Sequence, residues 1–64
     1  MTSKEVITML EADGWYQIKG KKTGHRQYKH DIKPGKITVP FHHGDLSPIV
    51  IKSIERQSGL KIRR

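Results

Sequence analysis

The sequence contains no cysteine, which excludes disulfide bonds, thiol nucleophiles and zinc sites built on thiolates. It has no apolar run near the roughly 20 residues that a transmembrane helix requires. Met1 is followed by polar residues rather than by a basic stretch and an apolar run, so no secretory signal peptide is predicted. These absences favour a protein of the reducing cytoplasm.

Acidic residues are also few, since six Asp and Glu stand against thirteen Lys and Arg and leave a formal net charge of +7. Such an excess favours an anionic partner, with nucleic acid as the first candidate and an acidic protein as the second. A chain of 64 residues forms one domain, residues 1–64, and buries only about 60% of the surface of its unfolded chain. We therefore expect a shallow surface site that acts on a polymer, without a metal or an organic cofactor.

Both ends of the sequence predict helices. The first is expected over about residues 3–13, because a capping box precedes apolar residues at helical spacing. The second begins with a serine cap and a proline in its first turn, and it ends at a glycine. The residues that give these signals are Thr2, Glu5, Asp13 and Gly14 for the first helix and Ser47, Pro48 and Gly59 for the second. The last four residues, 61–64, are predicted to form a mobile basic tail.

Between the helices lie three runs whose residues alternate in the manner of strands. They cover residues 15–19, 25–30 and 36–41, and glycine or Pro-Gly turn signals separate them. The order helix, three strands, helix predicts an α+β domain. In its simplest form, both helices cover one face of a three-stranded antiparallel sheet and the other face meets solvent.

The period of two residues along a strand assigns side chains to the two faces of this sheet. The predicted inward set is Tyr28 and Ile18, with Arg26 and His30 inward or at strand ends, and the predicted outward set is His25, Gln27 and Lys29. Trp15 and Tyr16 could stack on nucleic-acid bases, although one of them is expected in the core.

Residues 19–30 combine histidine, arginine and lysines in two strand-like runs joined by a turn. Imidazole transfers protons near neutral pH, and cationic side chains attract phosphate and stabilise charge that builds on it. We predict His25 as a general acid or base. The predicted RNA contacts are Lys21, Lys22, Lys29 and Arg26. The alternative interpretation of the same residues is a solvated histidine in an ordinary basic hairpin.

His42 and His43, with Asp45 close behind, raise the question of a metal site. Adjacent histidines point apart in an extended chain, and structural zinc sites need four ligands. We therefore predict no metal site and interpret this segment as a loop that flanks the path of the RNA.

Taken together, several segments of the chain resemble one known family. They are residues 3–7, 10–15, 24–30, 35–40, 45–46 and 51–60. In this order and at this length, the sequence resembles the HicA-type toxins, small mRNA interferases of bacterial and archaeal toxin–antitoxin pairs. The resemblance covers nearly the whole chain.

The resemblance implies a fold similar to the double-stranded-RNA-binding domain and a catalytic histidine early in the second strand, where His25 stands. In the family this histidine usually follows a Gly-Ser pair, whereas Thr23-Gly24 precede it here. The resemblance also implies metal-independent cleavage of mRNA and a HicB-type antitoxin that covers the active face. No second proton-transfer group is identified, because His30 is predicted on the opposite face of the strand.

A function of another class is a non-catalytic module that binds double-stranded RNA by its shape. Such modules usually place a lysine cluster at the start of the last helix, whereas residues 47–50 of this chain are mainly apolar. A pure protein-interaction domain is a third possibility, but it leaves the basic hairpin without a role. Incubation with single-stranded RNA in the absence of metal separates the first hypothesis from the other two.

Overall fold

The computed structural model describes residues 1–20, 24–41 and 44–62. The elements follow the predicted order, and their ends lie within one residue of the predicted ones. They are α1 (Ser3–Ala12), β1 (Tyr16–Lys19), β2 (His25–Lys29), β3 (Lys36–Pro40) and α2 (Pro48–Ser58). No helix in the described ranges is both long and apolar enough to cross a membrane.

Helix α1 starts at the predicted capping box. The Thr2 hydroxyl accepts from the Glu5 amide at 3.2 Å, and the Glu5 carboxylate accepts from the Thr2 amide at 2.8 Å. These two bonds satisfy donors that the first turn of a helix leaves without partners. The helix ends at Asp13, and Gly14 follows with a φ of 103°. A Cβ at Gly14 would lie 2.8 Å from Nε2 of His30, so glycine is required here for space as well as for conformation.

Capping residues next to helix α2 in the sequence determine where it begins and ends. The Ser47 hydroxyl accepts from the Val50 amide at 3.3 Å, and Pro48 occupies the first turn, where a missing N–H costs no intrahelical bond. Gly59 ends the helix in the left-handed conformation, and its amide donates to the Glu55 carbonyl at 2.8 Å. The predicted start and stop of this helix are confirmed.

The strands form an antiparallel sheet in the order β1-β2-β3, so β2 is central and β3 is an edge strand. Pro40, which lacks an amide donor, stands at the end of that edge strand, as expected. Both helices and one face of the sheet contribute to a single core, which confirms that the helices cover one face. The buried apolar residues are Val6, Ile7, Leu10, Trp15, Tyr28, Ile37, Val39, Leu46, Ile54 and Ile62.

Strand β1 departs from the prediction at Ile18, which is 37% exposed instead of pointing toward the helices. The residue that pairs with buried Tyr28 is Gln17, and the next pair joins Lys19 to Gln27. Ile18 is therefore an extra residue in a bulge, which moves it out of the regular alternation. The inward assignment of Ile18 is wrong because pairing with β2, not the apolar character of the side chain, sets the register.

The C-terminal segment also differs from the predicted mobile tail. Ile62 is buried, and its amide donates to the Glu55 carboxylate of α2 at 2.7 Å. An isoleucine within a basic run can cover apolar core surface beside the helix, which the composition of the run does not indicate. The chain is therefore held against the domain as far as residue 62, while residues 63–64 lie outside the described ranges.

The loop between β2 and β3 is tied to the C-terminal ends of both helices through Lys33. Its ammonium group lies 2.5 Å from the Asp13 carboxylate, at the end of α1, and 3.0 Å from the Ser58 carbonyl, at the end of α2. A cation is favourable at a helix C-terminus, where carbonyl groups have no intrahelical partner. The hydrogen bond from Lys33 lowers the pKa of Asp13 below its ordinary value of 3.8, although partial desolvation opposes this shift.

Candidate nucleic-acid interface

His25 is the first residue of the central strand, and its side chain is exposed. It pairs with Pro40 of β3, while Gln27 pairs with Thr38. These residues alternate with inward-facing Tyr28, so His25 lies on the face that the helices leave uncovered. The predicted position of His25 on the solvent face of the sheet is confirmed.

The backbone around His25 is fixed from both neighbouring strands. On the β3 side, the Phe41 amide donates to the Gly24 carbonyl at 2.6 Å. On the β1 side, Gly20 has a φ of 97°, and a Cβ there would lie 2.1 Å from the His25 carbonyl oxygen. Only glycine allows so close an approach of two backbones. The imidazole therefore projects from a strand held on both sides, which suits a group that must meet a substrate in one orientation.

A hydrogen bond from α1 supports the same end of the sheet. The Ser3 hydroxyl donates to the Pro40 carbonyl at 2.6 Å, and Ser3 is almost completely buried. Pro40 is the residue paired with His25, so the first turn of α1 holds the strand that adjoins the imidazole. The helical layer thus positions His25 without covering it.

Among the described residues, three exposed cations share the uncovered face with His25. Lys29 lies at the far end of β2, and Lys36 of β3 is its direct partner across the sheet. Lys19 ends β1 and pairs with Gln27 in the middle of the face. The strand rise of about 3.3 Å per residue places Lys29 about 13 Å from His25. Lys21 and Lys22, the other predicted RNA contacts, lie outside the described residues.

Arg26 lies on the opposite face of β2. It pairs with buried Val39, and its guanidinium carbon stands 3.7 Å above the centre of the Phe41 ring, in the geometry of a cation–π contact. The guanidinium also bonds to Tyr28, where it partly offsets the rise in the pKa of the phenol that burial causes. The sequence placed Arg26 inward or at a strand end and also proposed it as an RNA contact. In the structure, Arg26 and His25 lie on opposite faces of the sheet.

His30 lies outside the candidate interface and has a structural role. Its Nδ1 accepts from the amides of Ile32 and Lys33, at 3.0 and 3.1 Å, so the proton of the neutral ring is on Nε2. Nε2 donates to the Asp13 carbonyl at 2.7 Å, and the ring packs edge-on against Trp15. With both nitrogens used, His30 cannot act as a second proton-transfer group for His25.

The described residues contain no group of three or more His, Asp or Glu side chains placed to bind a metal ion. His42 and His43, which raised that question in the sequence, lie outside the described ranges. Asp45 is exposed, and its carboxylate lies 3.6 Å from the amino group of Met1. It therefore joins the start of the chain to the segment before α2.

The chain is similar to known proteins over most of its length. The model of the family described as the HicA toxin of bacterial toxin–antitoxin systems matches residues 3–60. The chain belongs to the HicA toxin family. Among solved structures, a chain of a toxin–antitoxin complex from Streptococcus pneumoniae is 33% identical to it, with a TM-score of 0.75. That match covers 94% of this chain and 98% of the other. No curated protein sequence matches significantly.

In this HicA-family chain, the sequence did not assign Lys36 to the uncovered face and did not decide which of Trp15 and Tyr16 is in the core. Lys36 was treated only as the start of a strand, although it lies directly opposite Lys29. Tyr16 was left between core and surface, and it is 42% exposed while Trp15 is buried. The alternation in β3, with Ile37 and Val39 inward, was the signal that could have placed Lys36 on the uncovered face. No signal in the neighbouring residues indicated that Lys29 lies opposite it.

Proposed function

We propose that this HicA-family chain is an endoribonuclease that cleaves mRNA with His25 as its catalytic residue, and thereby blocks translation. The observation that carries the proposal is an exposed imidazole on a rigid central strand, on a sheet face that also presents Lys19, Lys29 and Lys36. Membership of a toxin family supports it, because a toxin acting on a cell needs an activity that the fold can supply.

RNA supplies its own nucleophile, the 2′-hydroxyl next to each phosphodiester. In the proposed reaction the 2′-oxygen forms a bond to phosphorus and the bond from phosphorus to the 5′-oxygen breaks. The products are a 2′,3′-cyclic phosphate and a 5′-hydroxyl. No metal-activated water is needed for this step, which is why we propose a metal-independent reaction.

We assign one proton transfer of this reaction to His25, either removal of the 2′-hydroxyl proton or protonation of the leaving 5′-oxygen. A positioned imidazole accelerates such a transfer by about 10²–10⁴-fold. Of the predicted RNA contacts, Lys21 and Lys22 precede His25 by a few residues in the chain, and we assign to them the stabilisation of charge on the reacting phosphate. His30 does not supply the other transfer, because both its nitrogens are bonded within the fold.

The experiment compares the wild-type protein with His25→Ala on single-stranded RNA in the presence of EDTA. We expect the variant to lose cleavage by about 10²–10⁴-fold and to release growth arrest when it is expressed in cells. Its folding should be unchanged, because His25 is exposed and lies outside the core. Equal cleavage by the two proteins would refute the assignment of His25.

We further propose an antitoxin of the HicB type that covers the uncovered sheet face and so blocks His25. The support is the likeness to a chain from a toxin–antitoxin complex, together with the net charge of +7, which favours an acidic partner surface. The alternative, a non-catalytic module for double-stranded RNA, is not favoured. At the start of α2, where such modules place lysines, Ile49 is 81% exposed.

A further inference from the structure

One row of residues crosses all three strands on the uncovered face, at the end away from His25. Tyr16 of β1 pairs with Lys29 of β2, and Lys29 pairs with Lys36 of β3. All three side chains are exposed. We refer to them as the Tyr16–Lys29–Lys36 row.

Lys29 and Lys36 form a pair of like charges that opposes folding. Residues directly opposite each other in an antiparallel sheet have Cβ atoms about 4.5–5.5 Å apart, and like charges at that separation are destabilising. The ion pairs among the described residues join Lys33 to Asp13 and the N-terminus to Asp45, so neither lysine of the row takes part in one. An anion placed between the two ammonium groups would remove this repulsion.

Tyr16 makes a hydrogen bond beside the same row. Its hydroxyl donates to the Asp31 carboxylate at 3.1 Å, and this bond raises the pKa of the phenol, so the phenol remains protonated. The Asp31 carboxylate is therefore engaged by this tyrosine. The exposed ring of Tyr16 presents an aromatic face on which a base can stack.

The row is too far from His25 to touch the phosphate that His25 would cleave. Lys29 follows His25 by four residues, which corresponds to about 13 Å along the strand. A single RNA strand lying along β2 would place a flanking phosphate, and not the reacting one, between the two lysines. Binding there is the same in the ground state and in the transition state, so it lowers KM without raising kcat.

We propose that Tyr16, Lys29 and Lys36 form a subsite for a flanking nucleotide of single-stranded RNA, with its phosphate between the two lysines and its base on the Tyr16 ring. This proposal rests on the proposed function. RNA is favoured over an acidic protein because the row combines an aromatic platform with paired cations, and single-stranded nucleic acid presents bases and phosphates in alternation. Lys29 of this row is also on the same strand as His25, and a polymer substrate can run along that strand.

The test replaces Lys36 with glutamine, and Lys52→Gln serves as the matched control. Lys52 is an exposed residue of α2, on the helical layer, so the control removes the same charge from the other side of the domain. For Lys36→Gln we expect KM for a short single-stranded RNA to rise about three- to tenfold while kcat stays the same. The dependence of log affinity on log salt should become shallower by about 0.7.

A second readout follows from the repulsion between the lysines. Lys36→Gln should raise the midpoint of thermal unfolding, because it removes one of two facing charges, whereas Lys52→Gln should not. A gain of stability together with a loss of RNA affinity is a combination that damage to the fold cannot produce. If Lys36→Gln lowers stability or leaves KM unchanged, the proposal is overturned.

Binding of a 2′-O-methyl oligoribonucleotide separates this proposal from the proposed function. This probe carries the phosphates and bases of RNA but no free 2′-hydroxyl, so it measures the subsite without cleavage. Weaker binding of the probe by Lys36→Gln supports the subsite even if the wild-type protein proves not to cleave RNA. Unchanged binding of the probe, with weaker binding of the antitoxin alone, would assign the row to protein docking and refute the RNA subsite.

Discussion

The two histidines on or beside β2 should respond to substitution in opposite ways, and His30→Ala tests this division of roles. His30 makes three hydrogen bonds within the fold, two as an acceptor at Nδ1 and one as a donor at Nε2. It joins the end of α1 to the loop that follows β2. Alanine removes all three bonds together with the edge-on contact with Trp15.

The expected loss of stability is about 2 kcal/mol. The bond to the Ile32 amide is exposed, so water replaces it at little cost. The bonds to the Lys33 amide and the Asp13 carbonyl are partly buried, and each contributes about 1 kcal/mol. A domain of 64 residues has a total stability of roughly 3–10 kcal/mol, so this loss is large enough to measure.

Trp15 provides the assay, because it is the single tryptophan and is buried beside His30. Its fluorescence reports unfolding in urea for the wild-type protein and for His30→Ala. His30→Asn is the matched control, since an asparagine oxygen can accept from backbone amides a few residues ahead and should recover part of the loss. A change below about 0.5 kcal/mol for alanine would contradict the structural role. Loss of cleavage in a fully folded His30→Ala protein would contradict its exclusion from catalysis.

The remaining predictions concern acid stability and the backbone beside the imidazole. Because folding lowers the pKa of Asp13, the ionised carboxylate stabilises the folded state fully above about pH 4. This stabilisation disappears as the pH falls through the lowered pKa of Asp13. Asp13→Asn should therefore flatten the acid limb of a stability–pH curve, and an unchanged limb would refute the ion pair with Lys33. Gly20→Ala should cost about 2 kcal/mol or more and reduce cleavage by displacing His25. Gly24→Ala, whose Cβ meets open space, is its control, and equal effects of the two changes would refute the argument.

Signals within a few residues of each other were sufficient to predict the elements and their order. The capping box of Thr2 and Glu5, the Ser47 cap and the Gly59 stop act over one helical turn, so the sequence contains both partners of each interaction. The alternation in β2 likewise placed His25 on the solvent face. The family resemblance, with the fold that it implied, was also available from the sequence and is confirmed.

Tertiary structure decided what depends on partners distant in the chain. The pairing of β1 with β2 left Ile18 in a bulge, and a contact with α2 held Ile62, which the sequence had assigned to a mobile tail. The pairing of β2 with β3 placed Lys36 opposite Lys29. The physical reason is that strand register and packing are chosen by the free energy of the whole sheet and core, whereas caps and turns are chosen by neighbouring residues.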